Sequence, residues 1–257
     1  MGHEIEIIDE EVQAHYIQRI NPNTPIYRIF TLQRGLDTIV GKKLTLVRPH
    51  LWDDPYENAL YQRKMKTEQG DEVSVEALRN CLYGQCWTED GNSDALWRIY
   101  SPQKNGFRMT TTVGKLLKAI SENNGVRKTD CSIGKVNYCH QEIVEALFSR
   151  IDLFDFTDST GLKPVKFLLI KRNAFQHERE VRLIYNHPAS SNNPHGDIKS
   201  FDIDPNTLFD RLLFDPRIDD AEFTRLENQI RQSGYTGEIG KSTLYGKPVF
   251  NSITISG

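Results

Sequence analysis

Apolar positions along the chain change period repeatedly, and each change marks an element. Ile26-Tyr27-Arg28-Ile29-Phe30 is short, β-branched and aromatic, is entered from a loop holding Pro22 and Pro25, and predicts a strand. Thr31 then opens a helix whose Leu32, Leu36, Ile39 and Val40 share one face, and Gly41 closes it. Leu44-Thr45-Leu46-Val47-Arg48 predicts a second strand ended by Pro49, and Ser74 predicts the start of a helix carrying Val75, Leu78 and Leu82. Gly84 to Thr88 reads as a strand, and Ser93 to Tyr100 as a short helix with Leu96, Trp97 and Tyr100 on one side. Gly106 to Thr111 is strand-like, and Val113 to Asn123 is helical with Leu116, Leu117 and Ile120 as its stripe. Further strands are expected at Ile133 to Tyr138, Glu180 to Tyr185, Ile198 to Ile203 and Leu212 to Phe214, and helices from Gln141 to about Asp152 and from Asp219 to Gly234. The apolar run Val165 to Lys171 fits either type.

Strands and helices alternate irregularly, with no Gly-x-Gly-x-x-Gly and no phosphate loop ending in Gly-Lys-Ser/Thr, which disfavours a doubly wound nucleotide fold. The expected class is α+β: a single domain over 1–257, with mixed or antiparallel sheets around a cleft and peripheral helices. Within it, 1–25 read as an N-terminal extension and 62–73 as a surface insertion, because the pattern there turns polar. Composition agrees, since 38% hydrophobic and 26% charged residues in 257 suffice for one sizeable core. No apolar run approaches membrane-spanning length and the N-terminus lacks a signal-peptide core, so a cytoplasmic location is expected, with no membrane partner. Cys81, Cys86, Cys131 and Cys139 form no Cys-x-x-Cys pair and read as free thiols, and no metal is expected. A net charge of −3 gives no global field for nucleic acid, although the Lys42-Lys43, Arg63-Lys64-x-Lys66 and Lys163 to Arg172 clusters leave local patches.

The sharpest chemical pattern is His177-Glu178-Arg179-Glu180-Val181-Arg182-Leu183-Ile184-Tyr185. On a strand Glu178, Glu180 and Arg182 share one face and Val181, Leu183 and Tyr185 the other. That face is either the solvated side of an edge strand or a carboxylate pair able to shift its own pKa values and stabilise developing positive charge. Arg28 alternates with Ile26 and Phe30, a costly place for a guanidinium unless an anion meets it, whether a structural carboxylate or a ligand phosphate. Asp53-Asp54-Pro55-Tyr56-Glu57 fits a capping box, with Asp54 as cap, Pro55 first and Glu57 third, better than a metal site. Trp87, Trp97 and Tyr100 make either core or an aromatic wall beside the polar Asn92, Ser93 and Asp94. No Gly-x-Ser-x-Gly elbow or partnered histidine points to a serine or cysteine hydrolase.

In this order the motifs resemble a large bacterial family known as a domain of unknown function: Tyr27-Arg28-Ile29-Phe30, Asp53-Asp54-Pro55-Tyr56-Glu57, Trp97-Arg98-Ile99-Tyr100 with Gly106-Phe107, and Glu178-Arg179-Glu180-Val181-Arg182. The chain departs from it at Cys86-Trp87-Thr88, where that family carries Cys-Phe-Ser, so any role of that serine passes to Thr88. More weakly, an arginine on the first strand and a late Glu-x-Glu strand are similar to the order of parts in ADP-ribosyltransferases, including bacterial toxins. That resemblance implies NAD as substrate, with Arg28 on a phosphate or ribose, Tyr100 or Trp97 near the nicotinamide, and Thr88 and Arg182 among the NAD-contacting residues. Glu180 would bond the ribose hydroxyl, Glu178 would orient the acceptor, and the acceptor would be nucleic acid or protein in a toxin or phage-defence setting. Two other readings stay open: a non-catalytic nucleotide- or peptide-binding module of a defence or regulatory system, and a metal-dependent nuclease built on Asp54, Glu57, Glu178 and Glu180.

Overall fold

The computed structural model describes residues 17–59, 64–66, 72–74, 81–127, 130–150, 162–187 and 196–248. Its strands are β1 (Ile17–Gln18), β2 (Pro25–Phe30), β3 (Lys43–Val47), β4 (Lys64–Lys66), β5 (Glu72–Ser74), β6 (Leu82–Thr88) and β7 (Phe107–Thr112). They continue with β8 (Cys131–Lys135), β9 (Asn137–Cys139), β10 (Ile170–Arg172), β11 (Glu180–Asn186), β12 (Ile198–Asp202), β13 (Arg211–Phe214) and β14 (Glu238–Lys241). Ten of them form one sheet in the order β1-β8-β11-β6-β2-β7-β13-β14, with β3 and β12 as a side branch on β6. Its pairs are antiparallel except β1 with β8 and β13 with β14. The expected α+β class, with a mostly antiparallel sheet and peripheral helices, is what the structure shows.

The branch at β6 positions the site. One edge of β6 pairs with β11 from Leu82 to Thr88, while its other edge meets β2 only at Thr88, opposite Tyr27, and β3 only at Gly84, opposite Val47. Between those two pairings β2 and β3 diverge, and residues 85–87 of β6 face a gap. Side chains hold the fork: Gln85 Nε2 donates to the Thr45 carbonyl at 3.0 Å and Trp87 Nε1 donates to Gln85 Oε1 at 2.9 Å.

Away from the fork the sheet packs as its pattern predicts. Phe107 and Phe214 pair across β7 and β13, and Trp87 sits against Phe30 and Phe209. The helix Val113–Asn123 buries Leu116, Leu117 and Ile120, and Asp220–Gln232 buries Leu226 and Ile230. Thr112, Ser93 and Asp219 cap helices with their side chains, satisfying first-turn amides.

Several expectations are corrected. Ser74 ends β5 rather than opening a helix, Leu82 lies in β6, and 75–80 fall outside the described residues. The expected strand Ile133 to Tyr138 is two strands broken at Val136, whose amide turns to the Glu180 carbonyl. Val165 to Lys171 divides between the helix Leu162–Phe167 and β10. Within the 1–25 extension, Ile17–Gln18 joins the sheet beside β8, while 1–16 lie outside the described residues, as does most of the 62–73 insertion apart from the β4–β5 ribbon; neither boundary is tested by this. The four cysteines are free thiols, and among the described residues no helix is long and apolar enough to cross a membrane.

Candidate active site

A cavity of about 780 Å³ opens at the fork. Arg28 of β2, Cys86 and Thr88 of β6, Trp52, Asp54, Glu57, Tyr100, Lys171, Glu178 and Glu180 contribute to its walls. Leu51, Ile99, Tyr100 and Ile198 are exposed apolar side chains on its lining, so the wall is mixed rather than purely ionic.

Glu178 and Glu180 reach the cavity by a route that simple strand alternation does not describe. Glu178 is the last residue of the 3-10 turn Asn173–Glu178, and Arg179 follows it in the left-handed region at φ 43°. The strand begins only at Glu180. The kink brings both carboxyls to one place, where β10 delivers Lys171 between them. Lys171 Nζ lies 2.6 Å from Glu178 Oε2, 2.5 Å from Glu180 Oε1 and 3.3 Å from Glu57 Oε1. Arg182 donates from Nε to Glu180 Oε2 at 2.6 Å, from Nη1 to the Leu168 carbonyl at 2.7 Å, and from Nη2 to Glu57. Trp52 covers the Arg182 guanidinium at 4.6 Å, an approach allowed because position 84 is glycine: a Cβ there would stand 2.5 Å from the Trp52 ring.

Three carboxyl groups thus surround two cations in a nearly water-free place, and charge balance decides who keeps a proton. Glu180, 4% exposed, is opposed by burial, yet the Arg182 and Lys171 charges and the Glu178 hydrogen bond hold it well below the usual carboxylate range. Glu178 is raised to about 7 by burial and by its ionised neighbour Glu180, with Lys171 pulling the other way, and it accepts a hydrogen bond from the Tyr100 hydroxyl at 3.3 Å. Burial disfavours the Lys171 ammonium, but Glu180 and Glu57 outweigh it and keep the group charged. With Glu178 protonated the cluster is neutral; its ionisation adds one net negative charge to the cavity wall.

On the opposite wall Arg28 donates to the Cys86 carbonyl, an acceptor left open by the fork, and lies 5.1 Å from the Phe30 ring. Its Nε is buried and has no hydrogen-bond partner among the described residues. Burial lowers its pKa, against the weaker influence of Cys86, Tyr100 and Glu180. Burial likewise pushes the Cys86 thiol up, as does Glu180.

The predicted residues therefore divide. Arg28, Tyr100, Thr88, Glu178 and Glu180 line one cavity. Trp97 does not: it is 1% exposed and belongs to the core side of its helix, while Leu96 and Ile99 beside it line the cavity. Arg182 does not either, because it is 0% exposed and its donors are spent on Glu57, Glu180 and Leu168, which also rules out a solvated outer face for the Glu-x-Glu-x-Arg strand. The Asp54 to Glu57 box is half right. Asp54 Oδ1 caps the Tyr56 amide at 3.0 Å and pairs with Arg172 at 2.7 Å, but Glu57 leaves the helix end for Arg182 and Lys171. Read as metal ligands, Asp54, Glu57, Glu178 and Glu180 fit poorly, since Arg172, Lys171 and Arg182 stand where a divalent ion would bind. Lys171 was missed as a site residue; its signal was the first of two adjacent cations, Lys171-Arg172, closing the apolar run Leu168-Leu169-Ile170.

Comparison with known proteins fits the motif reading at one level. The model of a family described as protein of unknown function (DUF2971) matches residues 96–183, about a third of the chain, including Tyr100 and the Glu178 to Arg182 motif. No curated protein matches the chain in sequence. Among solved structures it is similar to Thermus sp. 2.9 DarT in complex with NAD+, at 13% identity over 86% of this chain and 96% of that one, with a TM-score of 0.38. The same protein in complex with ADP-ribosylated ssDNA gives 12% identity over 86% and 95%, with a TM-score of 0.40. Likeness at this level supports no statement about the chemistry of this chain.

Proposed function

We propose that the cavity takes a nucleotide and that the chain is an NAD-consuming, ADP-ribosyltransferase-like enzyme acting on nucleic acid or protein. One observation carries the reading: a single cavity joins a guanidinium with an unpartnered buried nitrogen to two carboxyl groups that share the Lys171 ammonium, with Glu180 held also by Arg182. Arg28 is suited to a phosphate, because its remaining donors form a planar fork. The cavity volume lies within the range of small-molecule sites, and Tyr27, Trp52 and Tyr100 offer ring surface to planar groups.

In the reaction the bond between the ribose carbon and the nicotinamide nitrogen breaks, its electron pair leaves with nicotinamide, and positive charge develops on the ribose. A wall carrying one net negative charge, held rigid by Lys171 and Arg182, stabilises that charge without reorganising. Glu180 supplies fixed charge. Glu178, ionised above about pH 7, is the base that takes the proton from the acceptor as its nucleophilic atom bonds to the ribose carbon.

The test is incubation with NAD, with and without nucleic acid and cell extract, following nicotinamide release and label transfer. The wild type should release nicotinamide with a rate that climbs through about pH 7 as Glu178 ionises. Glu180→Gln should lose turnover, and Arg28→Met should weaken nucleotide binding by about tenfold or more, the usual worth of charge-assisted hydrogen bonds. Thermal stabilisation by a nucleotide with no release in any mixture would instead establish a non-catalytic binding module.

A further inference from the structure

A second guanidinium with a buried, unpartnered Nε stands outside this cavity. Arg108 on β7 is 8% exposed, and among the described residues it makes neither a hydrogen bond nor an ion pair; its guanidinium lies over the Tyr27 ring at 4.8 Å, and its Nε is buried without a partner. Two residues on, and so on the same face of the strand, the Thr110 hydroxyl is also buried without a partner among the described residues. Arg211 lies directly across from Thr110 on β13, half-exposed and paired with Glu238 at 2.7 Å. The nearest acid that acts on Arg108 is Asp90, but its Oδ1 accepts the Asn92 amide at 2.9 Å and it does not bond the guanidinium. Burial, with Arg211 adding to it, lowers the Arg108 pKa, as expected for a cation without a counter-charge.

Register places this group on the face that carries Glu180. Glu180 lies opposite Thr88, Thr88 opposite Tyr27, Tyr27 opposite Thr110, and Thr110 opposite Arg211, and directly opposed residues point the same way. From β11 to β7 is three strand spacings, about 14 Å, with the Tyr27 ring between the cavity and Arg108.

We propose that Arg108 and Thr110, flanked by Arg211, form a second site that takes a phosphate oxyanion from a molecule other than the occupant of the cavity. A guanidinium whose Nε is buried without a partner while its Nη atoms stay open to solvent is poised for an anion arriving from outside, and nothing in the packing of Tyr27 requires a charged neighbour. Phosphate fits the donor set better than carboxylate. A guanidinium with all its donors open and a hydroxyl set off to one side present donors in more directions than two coplanar oxygens can accept, whereas a tetrahedral oxyanion offers acceptors in three. The phosphate can be free, as in inorganic phosphate or a mononucleotide, or part of a nucleic-acid strand.

The test titrates inorganic phosphate, a short single-stranded oligonucleotide and NAD separately into the wild type, Arg108→Met, Arg108→Gln and Thr110→Val, reading thermal stabilisation at constant ionic strength. Phosphate should stabilise the wild type, and either Arg108 variant should lose about tenfold to a hundredfold in phosphate affinity, with a smaller loss for Thr110→Val. Without ligand the Arg108 variants should stay folded and melt only slightly below the wild type, because the group removed makes no hydrogen bond or ion pair and its loss costs only the Tyr27 contact and stem packing. Oligonucleotide affinity falling together with phosphate affinity identifies a strand as the source; phosphate affinity falling alone identifies a free anion. Wild-type phosphate affinity in both Arg108 variants, no response of the wild type to phosphate, or a matching loss of the NAD response would overturn the proposal. A wild type that responds to phosphate but not to NAD would count against the nucleotide cavity and leave this site standing.

Discussion

Replacing Glu178 by Gln removes the carboxyl that burial and Glu180 raise to about 7. Its folded-state pKa is about 7 against an ordinary 4.5, and at about 1.4 kcal/mol per unit the difference is worth about 3 kcal/mol. Below 4.5 both the folded and the unfolded chain carry the proton, and the contribution is fully present. Between 4.5 and 7 the unfolded chain has given up its proton while the folded chain keeps it, so stability falls as pH rises. Above 7 both are ionised and the slope disappears. Glu180 runs the other way: its folded pKa is lowered, so its contribution is present above the unfolded value and is lost only as pH falls beneath it, outside this window. Glutamine keeps an oxygen for Tyr100 but has nothing to titrate. Urea unfolding of both proteins from pH 5 to 8 should therefore show the variant gaining on the wild type by up to about 3 kcal/mol, with most of the change below pH 7. A difference that stays constant across that range would refute the assignment of the proton to Glu178.

Other perturbations probe the same cluster from its remaining sides. Lys171→Met leaves Glu178 and Glu180 facing each other without the shared ammonium; unfolding experiments should show a loss of about 3–5 kcal/mol, and a loss under about 1 kcal/mol would mean that the cation is dispensable. Gly84→Ala places a methyl 2.5 Å from the Trp52 ring and should cost about 1–3 kcal/mol, with a red-shifted tryptophan emission as Trp52 moves off Arg182; an unchanged spectrum would show that the ring is free to yield.

Much of this architecture was readable from periodicity because burial and pattern agree. The helix Val113–Asn123 was predicted to its ends, since its stripe Leu116, Leu117 and Ile120 and its cap Thr112 are local signals. The strands at Arg28 and Glu180 were readable for the same reason. What escaped depends on long-range contact. Glu57 looks like a capping residue in sequence because the helix it begins is adjacent, while its true partner Arg182 is 125 positions away. Lys171 sits in a run whose helix and strand halves share one apolar composition, so neither its element nor its direction could be read. Arg179 hid the kink, because a positive φ at a non-glycine residue has no sequence signal and alternation through it misplaces Glu178. The β13–β14 pair was also missed, since Glu238–Lys241 carries almost no apolar pattern and joins the sheet by backbone pairing at an edge.

The fork explains why these polar residues gather at β6. A strand that exchanges one neighbour for another leaves backbone groups open between them, and buried open groups must be satisfied by side chains. Arg28 answers the Cys86 carbonyl and Gln85 answers the Thr45 carbonyl, so two residues that look misplaced on apolar strands are the ones that close the broken ladder. Gln85 is the cleaner of the two to test, because it also accepts from Trp87 Nε1 and its side chain is buried. Gln85→Leu keeps much of the volume but leaves the Thr45 carbonyl and the Trp87 indole without these partners, at about 1–3 kcal/mol for each group. If the fork is only the frame of the site, the variant should unfold at lower urea while its nucleotide-induced thermal shift persists. Loss of that shift at conditions where the variant is still folded would show instead that the width of the gap between β2 and β3 is itself part of ligand recognition.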